Sequence, residues 1–212
     1  MVEQRFLRIE TTQKPMADKA NLVVLISGNG TNLQAILDAC KSSSLLAQVT
    51  AVISNKSDAY GLERARSAGV PAVAQPKAKE QDRREYDSLL ADVVAHYKAD
   101  WVILAGWMRV LSSNFLNRFP NRVINLHPAL PGTFPGTHAI ERAFEAYGRG
   151  EIRATGVMVH LVPDEGVDSG PVLAQEEVPI HADDTLETLE MRVHDVEHRL
   201  LVNAIRKAIA GG

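Results

Sequence analysis

Short apolar runs alternate with amphipathic segments over residues 21–150. The runs are rich in branched apolar residues, which is typical of strands buried on both faces of a parallel sheet. The segments between them repeat their apolar residues at helical spacing. The predicted strands are residues 22–26, 49–53, 101–105 and 122–126, with a short one after residue 71, and the predicted helices are residues 33–40, 60–68 and 84–98. This alternation predicts an α/β fold with an open, mostly parallel, Rossmann-like sheet and helices on both faces.

The pattern changes after residue 150. Residues 155–162 and 171–178 are predicted to be extended, because a Gly/Asp-rich turn separates them and no helical segment lies between. Their spacing predicts antiparallel strands added near the C-terminal end of the sheet. The final predicted helix is residues 185–210. Residues 21–212 are therefore predicted to form one domain, and residues 1–20, which have no apolar period, a flexible N-terminal extension.

The composition narrows the class of protein. Apolar residues make up 45% of the 212 residues and charged residues 23%, which suits a globular core. A formal net charge of −3 and a pI near 6.2 argue against a large nucleic-acid interface, which needs a basic face. Cys40 is the only cysteine, so no disulfide framework is expected. Because neither a signal peptide nor a membrane-spanning apolar run is found, we expect a cytoplasmic protein with no membrane partner.

A turn with two glycines, residues 27–32 (Ser-Gly-Asn-Gly-Thr-Asn), separates the first predicted strand from the first predicted helix. Its glycines let backbone N–H groups approach a ligand, and a helix N-terminus favours an anion. The third glycine of the dinucleotide fingerprint is missing, so one phosphate fits better than a pyrophosphate. In the alternative interpretation, the glycines serve only a tight turn and Thr31 or Asn32 only caps the helix.

The densest group of chemically active residues is an Asn-Leu-His-Pro stretch, residues 125–128, at the end of a predicted strand. Ligands of open α/β sheets bind outside the carboxyl ends of the strands, and strand alternation places Asn125 and His127 on one side. Asp168 lies in an acidic loop bounded by glycine, residues 164–170. An amide can donate to an oxyanion, a histidine can transfer protons, and a carboxylate can stabilise the charged imidazole. The set suits acyl transfer to an amine, without a covalent intermediate because no nucleophile elbow occurs.

Other interpretations of these three residues stay open. Taken singly, Asn125 is typical of a turn, His127 of a hydrogen-bonded histidine at a strand end, and Asp168 of a turn acid. Histidine and carboxylate together also occur in metal sites, but paired ligands at short metal spacing are missing, so no metal is expected. A catalytically idle phosphate-binding module is the alternative from a different class.

Five stretches of the chain, in the same order, resemble the glycinamide ribonucleotide formyltransferase family over roughly residues 21–205. They are LISGNGTNLQ (residues 25–34), SNK (54–56), LAGWMRVL (104–111), INLHP (124–128) and residues 156–172. The Asn-x-His-Pro stretch is shared with other formyl-folate enzymes, whereas the Ser-Gly-Asn-Gly-Thr-Asn loop narrows the resemblance to the ribonucleotide enzymes. The resemblance implies the formyltransferase fold and transfer of a formyl group from 10-formyltetrahydrofolate, as co-substrate, to the amine of glycinamide ribonucleotide in purine synthesis.

The resemblance also implies a role for each matching position. Asn125 matches the oxyanion ligand, His127 the proton donor, and Asp168 the group that raises the pKa of that histidine. The implied substrate-binding residues are Gly30, Thr31 and Asn32 for the phosphate, Glu197 for the rest of the ribonucleotide, and Arg83, Met108, Arg109, Val110, Leu111 and Asn125 for the folate.

Several positions need separate comment in this match. Arg84 adjoins Arg83, which leaves the register of the folate-tail contact open. His194 replaces the glutamine of the family pattern near Glu197, and residues 131–133 differ from the usual Leu-Pro-Lys type. His160 lies in a matching stretch, where we expect a structural role.

Two related enzymes remain as alternatives. A formyltetrahydrofolate hydrolase would use water in place of the amine, but that family usually carries an N-terminal regulatory domain, for which residues 1–20 are too few. A methionyl-tRNA formyltransferase would need a C-terminal tRNA-binding domain, which we do not expect here. The expected partners are therefore the two small-molecule substrates, without nucleic acid, and both a homodimer and a monomer fit the composition.

Overall fold

A computed structural model of the chain describes residues 19–211. The predicted N-terminal extension lies outside the described residues as far as residue 18, and the first strand already begins at Ala20. In chain order the elements are β1 (Ala20–Ile26), α1 (Thr31–Lys41), β2 (Ala47–Ser54), α2 (Tyr60–Ser67), β3 (Ala72–Ala74), α3 (Arg83–His96), β4 (Trp101–Leu104), α4 (Ser113–Leu116), β5 (Val123–His127), α5 (Ala139–Gly148), β6 (Ala154–Leu161), β7 (Val172–Pro179) and α6 (Leu186–Gly211).

The strands form one sheet in the order β3-β2-β1-β4-β5-β6-β7. The pairs from β3 through β5 are parallel, whereas β6 pairs antiparallel with both β5 and β7. The predicted fold class is thereby confirmed, including the antiparallel strands near the C-terminal end. The strand order reverses between β1 and β4, and open α/β sheets bind ligands in the crevice at such a switch point.

Both faces of the sheet are covered. Successive residues of β1 point to opposite faces, so Leu22, Val24 and Ile26 join one buried cluster and Val23 and Leu25 the other. Helices α1, α2, α5 and α6 pack on the first face, and α3 and α4 on the second. Burial on both sides explains why β1 has a continuous apolar run instead of an alternating one.

Two helices have no counterpart in the predicted elements. The buried residues of α5 are Ala139, Ile140, Ala143 and Ala146, which recur at helical spacing. Because three of them are alanines, their apolar pattern is weak in the sequence. Helix α4 has four residues, which is too short for a periodic pattern.

Among the described residues, no helix combines the length and the apolar character needed to cross a membrane.

Candidate active site

A cavity of about 580 Å³ opens at the carboxyl ends of β4 and β5. Its walls come from the segment after β4 (residues 106–111), the end of β5 (residues 125–128), residues 136–139 before and at the start of α5, and the acidic loop after β6. These segments lie at the carboxyl ends of strands or in the loops that follow them, which is where an α/β sheet concentrates its ligand-binding groups. The cavity therefore lies where the sequence predicts the site.

The three predicted catalytic residues meet in this cavity. The Asn125 amide nitrogen donates to Asp168 Oδ1 at 3.0 Å, and His127 Nδ1 lies 3.3 Å from Asp168 Oδ2. Asn125 and His127 are alternate residues of β5 and so point to the same side of the sheet. The side chains of His127 and Asp168 are both buried, which strengthens the interaction between their charges.

Asp168 is held by groups that favour its ionised form. Its φ of 50° places it in the left-handed region, and the Gly136 N–H donates to its Oδ2 at 2.8 Å. Burial acts to raise the pKa of Asp168, but contacts from His160, the Gly136 N–H and His127 outweigh burial, so the pKa is lowered. Asp168 is therefore a carboxylate at neutral pH.

His127 has an acceptor on each side of its ring. Nδ1 faces Asp168, and Nε2 lies 3.0 Å from the backbone carbonyl of Phe134. Burial lowers the pKa of His127, and the raising effects of the Asp168 carboxylate and the Phe134 carbonyl only partly offset it. Asp168 thus acts in the direction that the resemblance implies, but burial is the larger influence on this histidine.

His160 belongs to the same cluster. Its Nε2 lies 3.2 Å from the Asn125 amide nitrogen and 3.6 Å from Asp168 Oδ1, and its Nδ1 lies 2.8 Å from the Leu161 carbonyl oxygen. The antiparallel register pairs His160 with Asn125 across β5 and β6. His160, for which we expect a structural role, therefore lies directly beside the predicted catalytic residues.

The loop before α1 leaves the helix N-terminus without a side-chain cap. Gly30 is the N-cap residue, with φ of 77°, and within the described part of the chain no side chain accepts a hydrogen bond from the first turn. The alternative in which Thr31 or Asn32 only caps the helix is therefore wrong. The first-turn N–H groups and the helix dipole instead favour an anion at this position.

The predicted ribonucleotide-binding residues also lie together. The Asn32 amide nitrogen donates to Glu197 Oε2 at 3.0 Å, although 165 residues separate the two in the chain. His194 Nδ1 lies 2.9 Å from the same carboxylate oxygen. Glu197 is buried, and Asn32 Oδ1 is a buried oxygen without a hydrogen-bond partner among the described residues. A buried polar atom of this kind calls for a ligand or a water.

The predicted folate-binding segment forms one wall of the cavity. Met108 and Val110 are 62% and 42% exposed, whereas Leu111 is buried in the core. The Arg109 guanidinium lies 5.0 Å from the centre of the Tyr86 ring. Arg83 is not among the cavity-lining residues; it pairs with Glu165 of the acidic loop, and its Nη1 lies 3.5 Å from the Val110 carbonyl oxygen.

Within residues 19–211, no group of three or more His, Cys, Asp or Glu residues is arranged to hold a metal ion.

The chain belongs to the formyl transferase family, which it matches over residues 20–205. It is 47% identical over 199 residues to the phosphoribosylglycinamide formyltransferase of Dictyostelium discoideum, covering 88% of this chain and 96% of that protein. The enzyme of the same name from Escherichia coli (strain K12) is 44% identical over 180 residues, covering 85% of this chain and 82% of that protein. Within the family, the chain is therefore a member of the phosphoribosylglycinamide formyltransferases.

A solved structure of this group has the same fold. The glycinamide ribonucleotide transformylase 1 from Symbiobacterium toebii matches 92% of this chain and 90% of its own, with a TM-score of 0.87 and 43% sequence identity. The similarity therefore extends over most of the chain.

Proposed function

We propose that this protein transfers the formyl group of 10-formyltetrahydrofolate to the amine of glycinamide ribonucleotide, yielding formylglycinamide ribonucleotide and tetrahydrofolate in purine synthesis. One observation carries the proposal: Asn125 and the buried side chains of His127 and Asp168 meet in a cavity beside an uncapped helix N-terminus. The first feature suits formyl transfer, and the second suits an acceptor that bears a phosphate.

The reaction is a direct attack of the acceptor amine on the formyl carbon, which gives a tetrahedral intermediate. Asn125 and protonated His127 donate hydrogen bonds to its oxyanion. The attacking nitrogen gives up one proton, and the folate nitrogen takes up one proton as the C–N bond to the donor breaks. Asp168 orients the imidazole and stabilises its charged form. Because no side chain bonds covalently to the formyl group, the chemistry needs only positioned donors.

In the substrate-free site, the groups that would bind the oxyanion are already hydrogen-bonded within the protein. The Asn125 amide nitrogen faces Asp168 and His160, and both nitrogens of His127 face protein oxygens. To reach the formyl oxygen, each side chain must exchange one of these contacts for the substrate. The Phe134 carbonyl is the contact of His127 that can be exchanged without separating the imidazole from Asp168.

The donor and acceptor occupy different parts of the crevice in this proposal. The folate lies in the cavity against Met108, Arg109, Val110, Leu111 and Asn125, and its tail extends out of the cavity to Arg83. The ribonucleotide phosphate binds at Gly30, Thr31 and Asn32, and Glu197 binds the rest of that substrate. The proposed partners are these two small molecules alone, in the cytoplasm; monomer and homodimer are both compatible with the proposal.

The test mixes the purified protein with 10-formyltetrahydrofolate and follows loss of the formyl group, with and without glycinamide ribonucleotide. We expect loss that depends on the ribonucleotide and yields one tetrahydrofolate per formylated acceptor. Loss with release of formate in the absence of the acceptor would instead identify a hydrolase. Absence of any loss would favour a non-catalytic binding module and overturn the proposal.

A further inference from the structure

Two carboxylates, Asp168 and Glu165, connect the acidic loop between β6 and β7 (residues 164–170) to the rest of the protein. On the inner side, Asp168 contacts Asn125 and the Gly136 N–H. On the outer side, Glu165 pairs with Arg83, and its Oε1 accepts a hydrogen bond from the Ser113 N–H at 2.9 Å. The mechanism uses the inner attachment, whereas it gives no role to the outer one.

Glu165 is hydrogen-bonded to the start of α4, which is itself hydrogen-bonded to α3. Ser113 begins α4, and the preceding Ser112 N–H donates to the buried carboxylate of Asp87 in α3 at 2.7 Å. The Asn114 amide joins the same two helices through Ser88 Oγ at 3.0 Å. The pKa of Glu165 is lowered, first by the Ser113 N–H and then by Arg83, so the anchor is an ionised carboxylate.

The loop between the two carboxylates is tightly folded. The Gly166 N–H donates to Asp164 Oδ1 at 2.8 Å, and a Cβ added at Gly166 would lie 2.5 Å from Ser169 Oγ. A Cβ added at Gly170 would lie 1.9 Å from the Leu161 carbonyl oxygen. Because these contacts pack the loop closely on itself and on the end of β6, we expect a displacement at Glu165 to move Asp168, three residues further on.

We propose that Glu165 is a positioning residue, which holds the loop that carries Asp168 at its correct distance from the donor-binding wall of the cavity. Arg83 extends the connection to that wall, because it contacts both Glu165 and the Val110 carbonyl. The assigned role rests on the proposed function, in which Asp168 serves the chemical step and residues 108–111 bind the formyl donor. The acceptor loop, residues 27–32, makes no contact with Glu165.

The first test compares Glu165→Ala and Glu165→Gln. Glu165→Ala removes both contacts, so we expect the KM for 10-formyltetrahydrofolate to rise and kcat to fall, together lowering kcat/KM about tenfold or more. The KM for glycinamide ribonucleotide stays within about twofold of the wild-type value, because its binding groups lie elsewhere. Glu165→Gln keeps an acceptor for the Ser113 N–H and is expected to recover part of the loss.

A backbone substitution tests the Ser113 contact by itself. Ser113 is the first residue of α4, where proline is tolerated, and Ser112 has the extended φ of −85° and ψ of 167° that a following proline requires. Ser113→Pro deletes the donor while the Glu165 charge remains, and Ser113→Ala is its control because it keeps the N–H. We expect Ser113→Pro to reproduce part of the Glu165→Ala effect, and the double variant to add nothing to Glu165→Ala.

The matched charge control is Glu176→Gln. Glu176 pairs with Arg199 and has a side chain 34% exposed, against 32% for Glu165, but it lies away from the cavity. The proposal is overturned if Glu165→Ala has wild-type kinetics, if both KM values rise in parallel, or if only the melting temperature falls.

Amide hydrogen exchange separates this inference from the proposed function. We expect faster exchange at residues 164–170 in Glu165→Ala and Ser113→Pro, and unchanged exchange there in Glu176→Gln. Unchanged exchange in all three variants would overturn the positioning role, whether or not the wild-type protein transfers a formyl group. A wild-type protein without transferase activity would overturn the proposed function alone.

Discussion

At the scale of the residue, the candidate site depends on an opposition at His127. Burial disfavours the imidazolium, whereas the Asp168 carboxylate and the Phe134 carbonyl both favour it. An imidazole that is neutral when free and is stabilised on protonation by an adjacent carboxylate can both accept and donate a proton near neutral pH. His127 therefore suits a reaction step in which negative charge develops on the formyl oxygen and is then lost.

The first prediction concerns His127→Ala. We expect kcat to fall about 10²–10⁴-fold, the usual contribution of a positioned acid–base group, while donor and acceptor dissociation constants change little. Steady-state kinetics and equilibrium binding measure the two effects separately. His181→Ala is the control, since His181 is exposed and distant from the cavity lining. Near-wild-type turnover of His127→Ala would contradict the proposed mechanism.

At the scale of the element, the site is produced by strand register and by helix ends. The apolar runs identify β1, β4 and β5 because these strands are covered on both faces of the sheet. The motif in β5 could be predicted because its residues occur in one stretch. The position of His160 could not, since it depends on the pairing of β6 with β5. A register shift of one residue would turn His160 to the opposite face.

The second prediction concerns the close packing of α2 against the loop before α1. A Cβ added at Gly61 would lie 2.4 Å from Ile26 Cδ1 and 3.3 Å from Gly30 Cα. We expect Gly61→Ala to reduce the free energy of unfolding by about 1–3 kcal/mol, the usual effect of overpacking. The KM for the ribonucleotide also rises, because the displaced loop contains the proposed phosphate site.

Urea unfolding and steady-state kinetics check this prediction. Gly148→Ala is the control, because a Cβ there meets nothing within 4 Å. If Gly61→Ala and Gly148→Ala have equal stability and equal KM values, the packing between these segments does not shape the loop.

The third prediction concerns the pH dependence of an ion pair on α6. The hydrogen bond to Glu197 raises the pKa of His194 despite its partial burial. A raised folded-state pKa stabilises the protein fully below the unfolded value, and the contribution is lost as the pH rises through the folded value. We expect His194→Gln to cost about 0.2–0.5 kcal/mol at pH 5.5, reduced by solvent screening because the histidine is half-exposed.

Urea unfolding of wild type and His194→Gln at pH 5.5 and pH 8.5 measures this difference. We expect it to shrink at the higher pH, and to be absent at both values in the exposed-histidine control His181→Gln. A difference that is constant or grows with pH would mean that the pair contributes no charge-dependent stability.

At the scale of the whole molecule, the switch in strand order brings the donor and acceptor sites together. The loop after β1 carries the proposed phosphate site, and the segment after β4 forms the donor wall. Adjacent strands with helices on opposite faces leave a crevice between these two loops. The alternation of elements predicts such a crevice, but not which side chains join its walls, because those contacts link residues far apart in the chain.

Ser27 makes the most direct of these links and is the subject of the last prediction. Its hydroxyl accepts a hydrogen bond from the Met108 N–H at 2.8 Å and donates to Asn55 Oδ1 at 2.6 Å, so one buried group joins the ends of β1, β2 and β4.

Ser27→Ala leaves both partners unsatisfied and is expected to cost about 1–3 kcal/mol of stability. Because the link spans both sites, the KM values for donor and acceptor both rise, unlike the donor-selective effect expected for Glu165→Ala. Urea unfolding and kinetics beside Ser67→Ala, an exposed serine at the end of α2, test this. An effect on only one KM would show that the two sites are positioned independently of each other.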